Sequence, residues 1–372
     1  MRILYIFPEE FPNDKARGVQ VAHSVCALAS QGATLYFAYV PSNNSPNPFS
    51  FYGIKIPETV NLIPLSRTVF NIRSNKIFYW NLKKWLKSLK KLPDCIIVRH
   101  IKIAYYLLIN FPQIPVIYEA HEVFADVAPE NIQAKIHKME NLILSKASIV
   151  IAISNGTAER LKKRYLINRE IFVLPDGVNI SNIPFNKTWN EIHQNIIYTG
   201  SLLEWKGVED LVKAGQFLPG FKITIIGGNT SQIEKLQKKV NLNGAEITFL
   251  GYVPHQEIAT FLKNACIAVL PNRNEPISMF TSPLKLFEYM ASGCAIVASN
   301  IPSIREILND DEAIWFEPGN PYSLAEAIKL LASNPEKAKR MGEILKQKAN
   351  NYTWESRAKR IIGVINEKIP QH

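Results

Sequence analysis

The stretch Thr281–Ser299, TSPLKLFEYMASGCAIVAS, carries the densest local signal in the chain. Ser282 is placed to cap a helix, and Pro283 fits the first helical position. The N–H groups that follow, at Leu284 and Lys285, then have no intrahelical partners. A phosphate docks well on such groups, helped by the field of the helix. Lys285 adds a point charge. Glu288 stands three residues further on, so both side chains can approach one ligand. A carboxylate there can accept two hydrogen bonds from a ribose diol while phosphate oxygens sit at the helix start. An ordinary capped amphipathic helix is the competing reading. Ala295–Ala298 follows as a short buried strand.

Outward from this helix and strand, the same rhythm runs through the whole chain. Ile3–Phe7, Thr34–Val40, Cys95–Val98, Val116–Tyr118, Ser148–Ile153 and Ile171–Leu174 read as strands. Helices are expected over Val19–Ser30 and over about 76–91, 102–110, 131–145 and 156–165. A second series begins near Asn195. Its strands are Ile196–Tyr198, Lys222–Ile226, Glu246–Phe249, Ile267–Leu270 and Ala313–Phe316, with helices at Gly207–Phe217, 231–240, His255–Asn264 and 322–333. This is an α/β chain with two open, mostly parallel sheets. The polar stretch Ser181–Gln194, with Pro184, separates them. The expected domains are 1–185 and 186–353, with a last helix over 354–368, inside 354–372, returning to the first domain. That return would leave a central cleft faced by a topological switch point of each sheet.

The 372 residues, 47% of them hydrophobic, suffice for two such cores and exclude a disordered or coiled-coil chain. Lys and Arg total 43 against 32 Asp and Glu, a formal charge of +11, which favours an anionic partner. The N-terminal apolar run is too short for a signal-peptide core, and no segment approaches a membrane span. Cys26, Cys95, Cys266 and Cys294 are scattered and form no CxxC, so free thiols and a cytoplasmic location are expected. Segment 71–93 holds Arg73, Lys76, Lys83, Lys84, Lys87, Lys90 and Lys91 and no acid. Phe78, Leu82, Trp85, Leu89 and Leu92 recur there at helical spacing. It reads as a basic amphipathic helix, either packed on its own sheet or docked on an anionic membrane or acceptor. The motifs of nucleic-acid modules are missing, so no nucleic acid is expected.

TGSLLEWKGVEDL, residues 199–211, follows a strand and opens a helix. Gly200 permits close backbone approach, and Lys206 can reach a diphosphate. Gly18, before the first helix, offers a similar permissive loop. Neither GxxxxGK[ST] nor GxGxxG occurs, which argues against a nucleotide hydrolase or a standard NAD enzyme. His121, in YEAHEVF, falls at the carboxyl end of a strand, where its neutral form can hydrogen-bond a sugar hydroxyl; a core histidine is the alternative. With no HExxH, no His/Cys cluster and only the adjacent Asp310-Asp311 pair, no metal site is expected.

TSPLKLFEYMASGCAIVAS resembles the signature of retaining glycosyltransferases of family 4, in its SPLKLFEYMA form. Seven further stretches agree in order: 15–32, 118–124, 153–165, 173–180, 198–214, 250–271 and 316–336. The resemblance implies a GT-B fold of two Rossmann-like domains, with the acceptor on the first and a nucleotide-sugar donor on the second. It implies that Lys206 neutralises the donor diphosphate and that Glu288 holds the ribose. Ser282, Pro283, Leu284 and Lys285 would cradle phosphate and sugar. Gly18 would be the flexible glycine near diphosphate and acceptor, and His121 the active-site histidine. Gly251, Tyr252 and Val253 would line the nucleobase. Two departures stand out. Ser201 follows Gly200 where many members carry arginine. Phe280 stands eight positions before Glu288, where the first of a glutamate pair is usual; Glu275 is the nearby substitute.

The reading is therefore a metal-independent, retaining hexosyltransferase using a UDP- or GDP-sugar, with no tightly bound cofactor. Its expected acceptor is a glycan, a lipid-linked sugar or a cell-surface polysaccharide, met in the cytoplasm or at the inner face of the membrane. A transferase acting on a small soluble metabolite, and a non-catalytic sugar-nucleotide-binding protein, are the alternatives.

Overall fold

The computed structural model describes the chain apart from residues 43–46, 70–71, 181–188, 190–192, 242, 281 and 371–372; of Met279 only the backbone is described. Thr281, residue 71 of the basic segment and the expected 185/186 boundary lie outside the described residues. Two compact units form, Met1–Pro175 with Trp354–His372, and Asp176–Thr353.

The first unit is built on β1 (Arg2–Phe11), β2 (Thr34–Pro41), β3 (Val60–Pro64), β6 (Cys95–Val98), β7 (Val116–Ala120), β8 (Ile149–Ala152) and β9 (Phe172–Val173), a parallel sheet in the order β3-β2-β1-β6-β7-β8-β9. β4 (Thr68–Val69) and β5 (Ile72–Arg73) make a separate antiparallel pair. Ile3–Phe7 and Cys95–Val98 are continuous apolar runs because helices cover both faces of the sheet, and every one of these residues is buried. Helices span Ala16–Ser30, Asn75–Ser88, Ile101–Asn110, Glu130–Lys146 and Asn155–Tyr165. Ser74 and Ser154 cap two of them, accepting from the N–H groups of Lys76 and Thr157. The C-terminal helix, Trp354–Lys368, packs on Ala16–Ser30, with Trp354 stacked on His23 at 5.6 Å between ring centroids.

The second unit has β10 (Asn195–Thr199), β11 (Lys222–Ile226), β12 (Glu246–Gly251), β13 (Ile267–Leu270), β14 (Ala295–Ser299) and β15 (Ile314–Phe316), all parallel, in the order β12-β11-β10-β13-β14-β15. Each sheet reverses direction of growth once, between β1 and β6 in the first and between β10 and β13 in the second. Loops diverge at such a point, and ligands of open α/β sheets bind there, at the carboxyl ends of the strands.

Some elements depart from expectation. Strand β3, the β4–β5 pair and the helix Pro335–Ala349 are additions. That helix has a side-chain cap, Asn334 accepting from Lys337 N–H at 3.0 Å, and Pro335 in its first turn. A Cβ on Gly342 would lie 2.2 Å from the Gly293 carbonyl, so the glycine lets this helix approach the turn before β14. The basic helix ends at Ser88 and buries Phe78, Leu82 and Leu86; Leu89 and Leu92 lie beyond it. Trp85 is only half-buried, leaning on Tyr36. Gly18 sits in the first turn of the first helix, not in a loop before it. The four cysteines are free. Among the described residues no helix is long and apolar enough to cross a membrane.

Candidate functional site

At the carboxyl end of the second sheet, three glycines end three neighbouring strands, of which β10 flanks the reversal point. Gly200 follows β10, Gly227 follows β11 and Gly251 ends β12, with φ of 123°, 118° and 67°. Gly200 N–H donates to the Ile226 carbonyl at 2.9 Å, and Gly227 N–H to the Gly251 carbonyl at 2.6 Å. A Cβ on Gly227 would lie 2.1 Å from the Gly200 carbonyl, and positive φ strains a side chain at all three positions. Bare backbone at strand ends allows a ligand to lie close against the sheet. Tyr252 and Val253 follow Gly251, with Tyr252 exposed.

Lys285 enters from the first turn of the helix Leu284–Ala291. It is 8% exposed, and its side-chain nitrogen has no hydrogen-bond partner among the described residues. Its Nζ lies 3.7 Å from the Tyr198 ring centroid and 2.8 Å from the position of a Gly200 Cβ. Burial, and then the charge of Lys206, hold Lys285 well below the ordinary lysine range, against the pull of Glu288. Lys206 itself is held at about 8 by burial, with Nζ 3.7 Å from the Trp205 ring centroid. Two amines thus stand close together, one of them orphaned. A buried, unpaired ammonium is costly and is relieved by an anion.

The helix does not start as expected. Pro283 is the boundary residue, and no side chain among the described residues caps the helix. Ser282 Oγ instead accepts the N–H of Asp176 at 3.1 Å. The first N–H groups, at Leu284 and Lys285, retain no intrahelical carbonyl. Tyr289 locks the helix to β10, its hydroxyl accepting from Thr199 N–H at 2.8 Å and from Thr199 Oγ1 at 3.2 Å. Tyr198 donates its hydroxyl proton to the Ser201 carbonyl at 2.7 Å, which shapes the turn after Gly200. Glu288 Oε1 lies 2.6 Å from His255 Nε2. Burial opposes a charge on His255, but its hydrogen bond and attraction to Glu288 prevail and raise its pKa.

Glu275 lies in the loop after β13, half-buried, and its carboxylate has no partner among the described residues. The loop is tied to the Lys206 turn. Arg273 forks onto Asp210 at 2.9 and 3.0 Å, and Arg273 N–H donates to the Trp205 carbonyl at 2.9 Å. Phe280 is buried. Gly200, Ser201, Lys206, Gly251–Val253, Glu275 and Ser282–Glu288 therefore all lie in one unit, on loops and helix starts around its strand ends.

His121 and Gly18 belong to the first unit. His121 follows β7, and its Nε2 lies 2.9 Å from Glu119 Oε1. Burial and Arg99 hold His121 at about 4, against the pull of Glu119, so the ring is neutral at pH 7. Gly18 is demanded by crowding and not by φ: a Cβ would lie 2.4 Å from the Tyr52 hydroxyl and 2.7 Å from Asn13 Oδ1. Tyr198, Tyr289, His255, Gly227, Glu119 and the Asp210–Arg273 fork carry structure around the candidate residues and were not singled out by sequence. Gly227-Gly228 after a strand was a readable signal. The tyrosines look like any core aromatic.

Residues 18–182 match the family described as Glycosyltransferase Family 4, and residues 179–348 match Glycosyl transferases group 1. An uncharacterized glycosyltransferase of Methanocaldococcus jannaschii is 29% identical over 215 residues, 57% of this chain. The chain spans about half of that relative, 55% of its length. Sucrose-phosphate synthase from Thermosynechococcus elongatus has the same fold at TM-score 0.81 and 19% identity, over 99% of this chain and 98% of that one. Anabaena HepE in complex with UDP-glucose gives 0.74 at 14% identity, over 99% and 100% of the two chains. With the two family matches running together from residue 18 to 348, the chain belongs to the group 1, family 4 glycosyltransferases and has their GT-B fold.

Proposed function

We propose that the chain transfers a hexosyl unit from a UDP- or GDP-sugar to a glycan or lipid-linked acceptor, with retention at the anomeric carbon and without a metal ion. One observation carries the reading: the orphaned ammonium of Lys285, beside Lys206 and the bare Gly200 turn, at a free helix start. That arrangement suits a diphosphate. The complex of Anabaena HepE with UDP-glucose supports the same donor class.

As the glycosidic bond breaks, negative charge grows on the leaving diphosphate. Lys206, Lys285 and the N–H groups of Leu284 and Lys285 stabilise it. The acceptor oxygen approaches on the face the diphosphate leaves, and a phosphate oxygen takes the acceptor proton. Glu288 holds the ribose diol, Gly251–Val253 line the base, and Glu275 stands in for the glutamate replaced by Phe280. His121 orients sugar hydroxyls and does not attack. Ser201 leaves one cation fewer at the diphosphate than many relatives have.

The acceptor reading leans on the basic helix. Lys76, Lys84, Lys87, Lys90 and Lys91 are exposed, together with Trp80 at 62% and Ile72 at 67%. Exposed apolar side chains among lysines that form no ion pair among the described residues suit an anionic lipid surface at the inner face of the membrane. Neutralising Lys83, Lys84, Lys87 and Lys90 should abolish sedimentation with anionic liposomes while the fold persists; unchanged binding overturns the docking.

The decisive experiment is incubation with UDP-, GDP-, ADP- and dTDP-sugars and lipid-linked or soluble acceptors, with the product's anomeric configuration read by NMR. Transfer with retention, unaffected by EDTA, is expected. An inverted product or loss of activity with EDTA overturns those parts of the reading. Donor binding with no transfer or hydrolysis makes the chain a non-catalytic binding protein. Equal turnover of a small soluble acceptor, indifferent to membranes, points to metabolite glycosylation.

A further inference from the structure

Glu119, the fourth residue of β7, is 1% exposed, and donors from separate elements converge on it. Its Oε1 receives Arg357 Nη2 at 2.5 Å and Gln20 Nε2 at 3.1 Å, and lies 2.9 Å from His121 Nε2. The Tyr5 hydroxyl approaches Oε2 at 3.4 Å. Arg357 comes from the C-terminal helix, 238 residues away in sequence, and its Nε donates to the Pro175 carbonyl at 3.0 Å. Arg99 donates to the Gln20 amide oxygen. Burial opposes a charge on Glu119, but Arg357, His121 and Arg99 outweigh it and hold the carboxyl well below the usual range.

An ionised carboxylate only accepts. His121 Nε2 lies 2.9 Å from that carboxylate and 3.1 Å from the Gln20 amide nitrogen, which spends a proton on the same Oε1; the carboxylate is the stronger partner and puts the ring proton on Nε2. With the ring neutral, the other nitrogen, Nδ1, is left as an acceptor, and it has no hydrogen-bond partner among the described residues. Within the first unit the groups that face the ring are Glu119, Arg99, Arg357 and the Gln20 amide. We propose that Arg357 is a positioning residue that acts through Glu119, holding His121 with its proton on Nε2 and presenting its Nδ1 lone pair to a sugar hydroxyl. The proposal rests on the assignment of His121 to the sugar. The C-terminal helix is then more than a closure of the first unit: it completes the electrostatic setting of the active-site histidine. A buried ion pair is a poor clamp, since well-packed apolar residues hold as firmly. The helix already has such contacts in the Trp354–His23 stack and in buried Ala358, Ile361 and Ile365.

Long-range ¹H–¹⁵N correlation spectra of ¹⁵N-histidine-labelled protein, with His121→Gln for assignment, read the ring directly. We expect the neutral Nε2–H form at neutral pH; an Nδ1–H or charged ring overturns the proposal. Arg357→Met removes a cation that disfavours ring protonation. The His121 titration and the acid limb of kcat should then move to higher pH, and kcat should fall about tenfold or more. The Kd for UDP should stay unchanged, and Arg357→Lys should restore part of kcat. If Arg357→Met does not fold, the wild-type spectrum and Arg357→Lys decide. Folded variants that lose only melting temperature, with the ring signals and acid limb unmoved, make Arg357 structural and overturn the proposal. Full activity in His121→Ala instead removes His121 from the reaction, a failure of the underlying assignment that the ring spectra would not reveal.

Discussion

Lys285 Nζ lies 3.7 Å from the ring centroid of Tyr198, whose hydroxyl donates to the Ser201 carbonyl at 2.7 Å. One tyrosine therefore holds both the cation and the glycine turn beside it. The ring face offers the ammonium some compensation but no hydrogen bond. The cation is left in want of an anion, and four predictions follow from that setting.

Lys285→Met should leave folding stability unchanged or raise it, because an unpartnered buried amine is removed. UDP affinity should fall about 10- to 100-fold, the loss of one charge-assisted contact worth about 1.5–3 kcal/mol. Urea unfolding and titration calorimetry on the same variant check both halves. A destabilised variant with normal affinity would make Lys285 a structural residue.

UDP affinity should depend on pH with a definite sign. Burial holds Lys206 at about 8 in the free protein. A bound diphosphate favours the charged amine and raises that pKa. Below about pH 8 Lys206 already carries its proton and adds no slope. Above it, binding must take up a proton, and affinity falls by up to about tenfold per pH unit until the bound-state pKa is reached. Lys285, held below the ordinary lysine range by burial and by Lys206, adds in the same direction. Calorimetry in two buffers of different ionisation enthalpy detects the uptake; a flat profile through pH 10 removes Lys206 from the diphosphate.

Gly200→Ala meets two obstacles, a φ of 123° and a Cβ 2.8 Å from Lys285 Nζ. Strain of about 1–3 kcal/mol is expected, with weaker UDP binding as Lys285 is displaced. Gly32→Ala is the control. Gly32 also has positive φ, 84°, but its Cβ would meet nothing within 4 Å. The control should lose stability and keep UDP affinity.

Tyr289→Phe deletes the acceptor of two Thr199 donors, at 2.8 and 3.2 Å. A buried N–H left unpaired costs about 1–3 kcal/mol, readable as a lower urea midpoint. The helix start would no longer be registered against the Gly200 turn, so KM for the donor should rise. A stability loss with unchanged KM would confine Tyr289 to the core.

The strands were legible because parallel strands covered on both faces are uninterrupted apolar runs, such as CIIV at Cys95–Val98 and IAVL at Ile267–Leu270. Val60–Pro64 escaped notice as an edge strand with mixed burial and a terminal proline. The helix Pro335–Ala349 escaped because its polar face dominates its composition, although its Asn-Pro start was in plain view. Sequence presents Gly18 as a permissive loop glycine before the first helix; its smallness answers to Tyr52 and Asn13, which only folding brings near.

The candidate site divides the same way. Residue types at fixed spacing, as in the helix carrying Lys285 and Glu288, are a local property, because helical geometry places them without help from the rest of the chain. The same holds for the glycines that end strands and for the alternation that builds each sheet. Partners are a different matter. That Ser282 accepts from Asp176 instead of capping its own helix, that His255 holds Glu288, and that Arg357 reaches Glu119 across 238 residues were decided only by the tertiary structure. Burial shifts the pKa values of Lys285, Lys206 and His121, and burial belongs to the packed chain. Sequence determined which groups are present and which way a strand or helix presents them; packing decided what faces each group and how much water it keeps, and so its pKa and its want of a ligand.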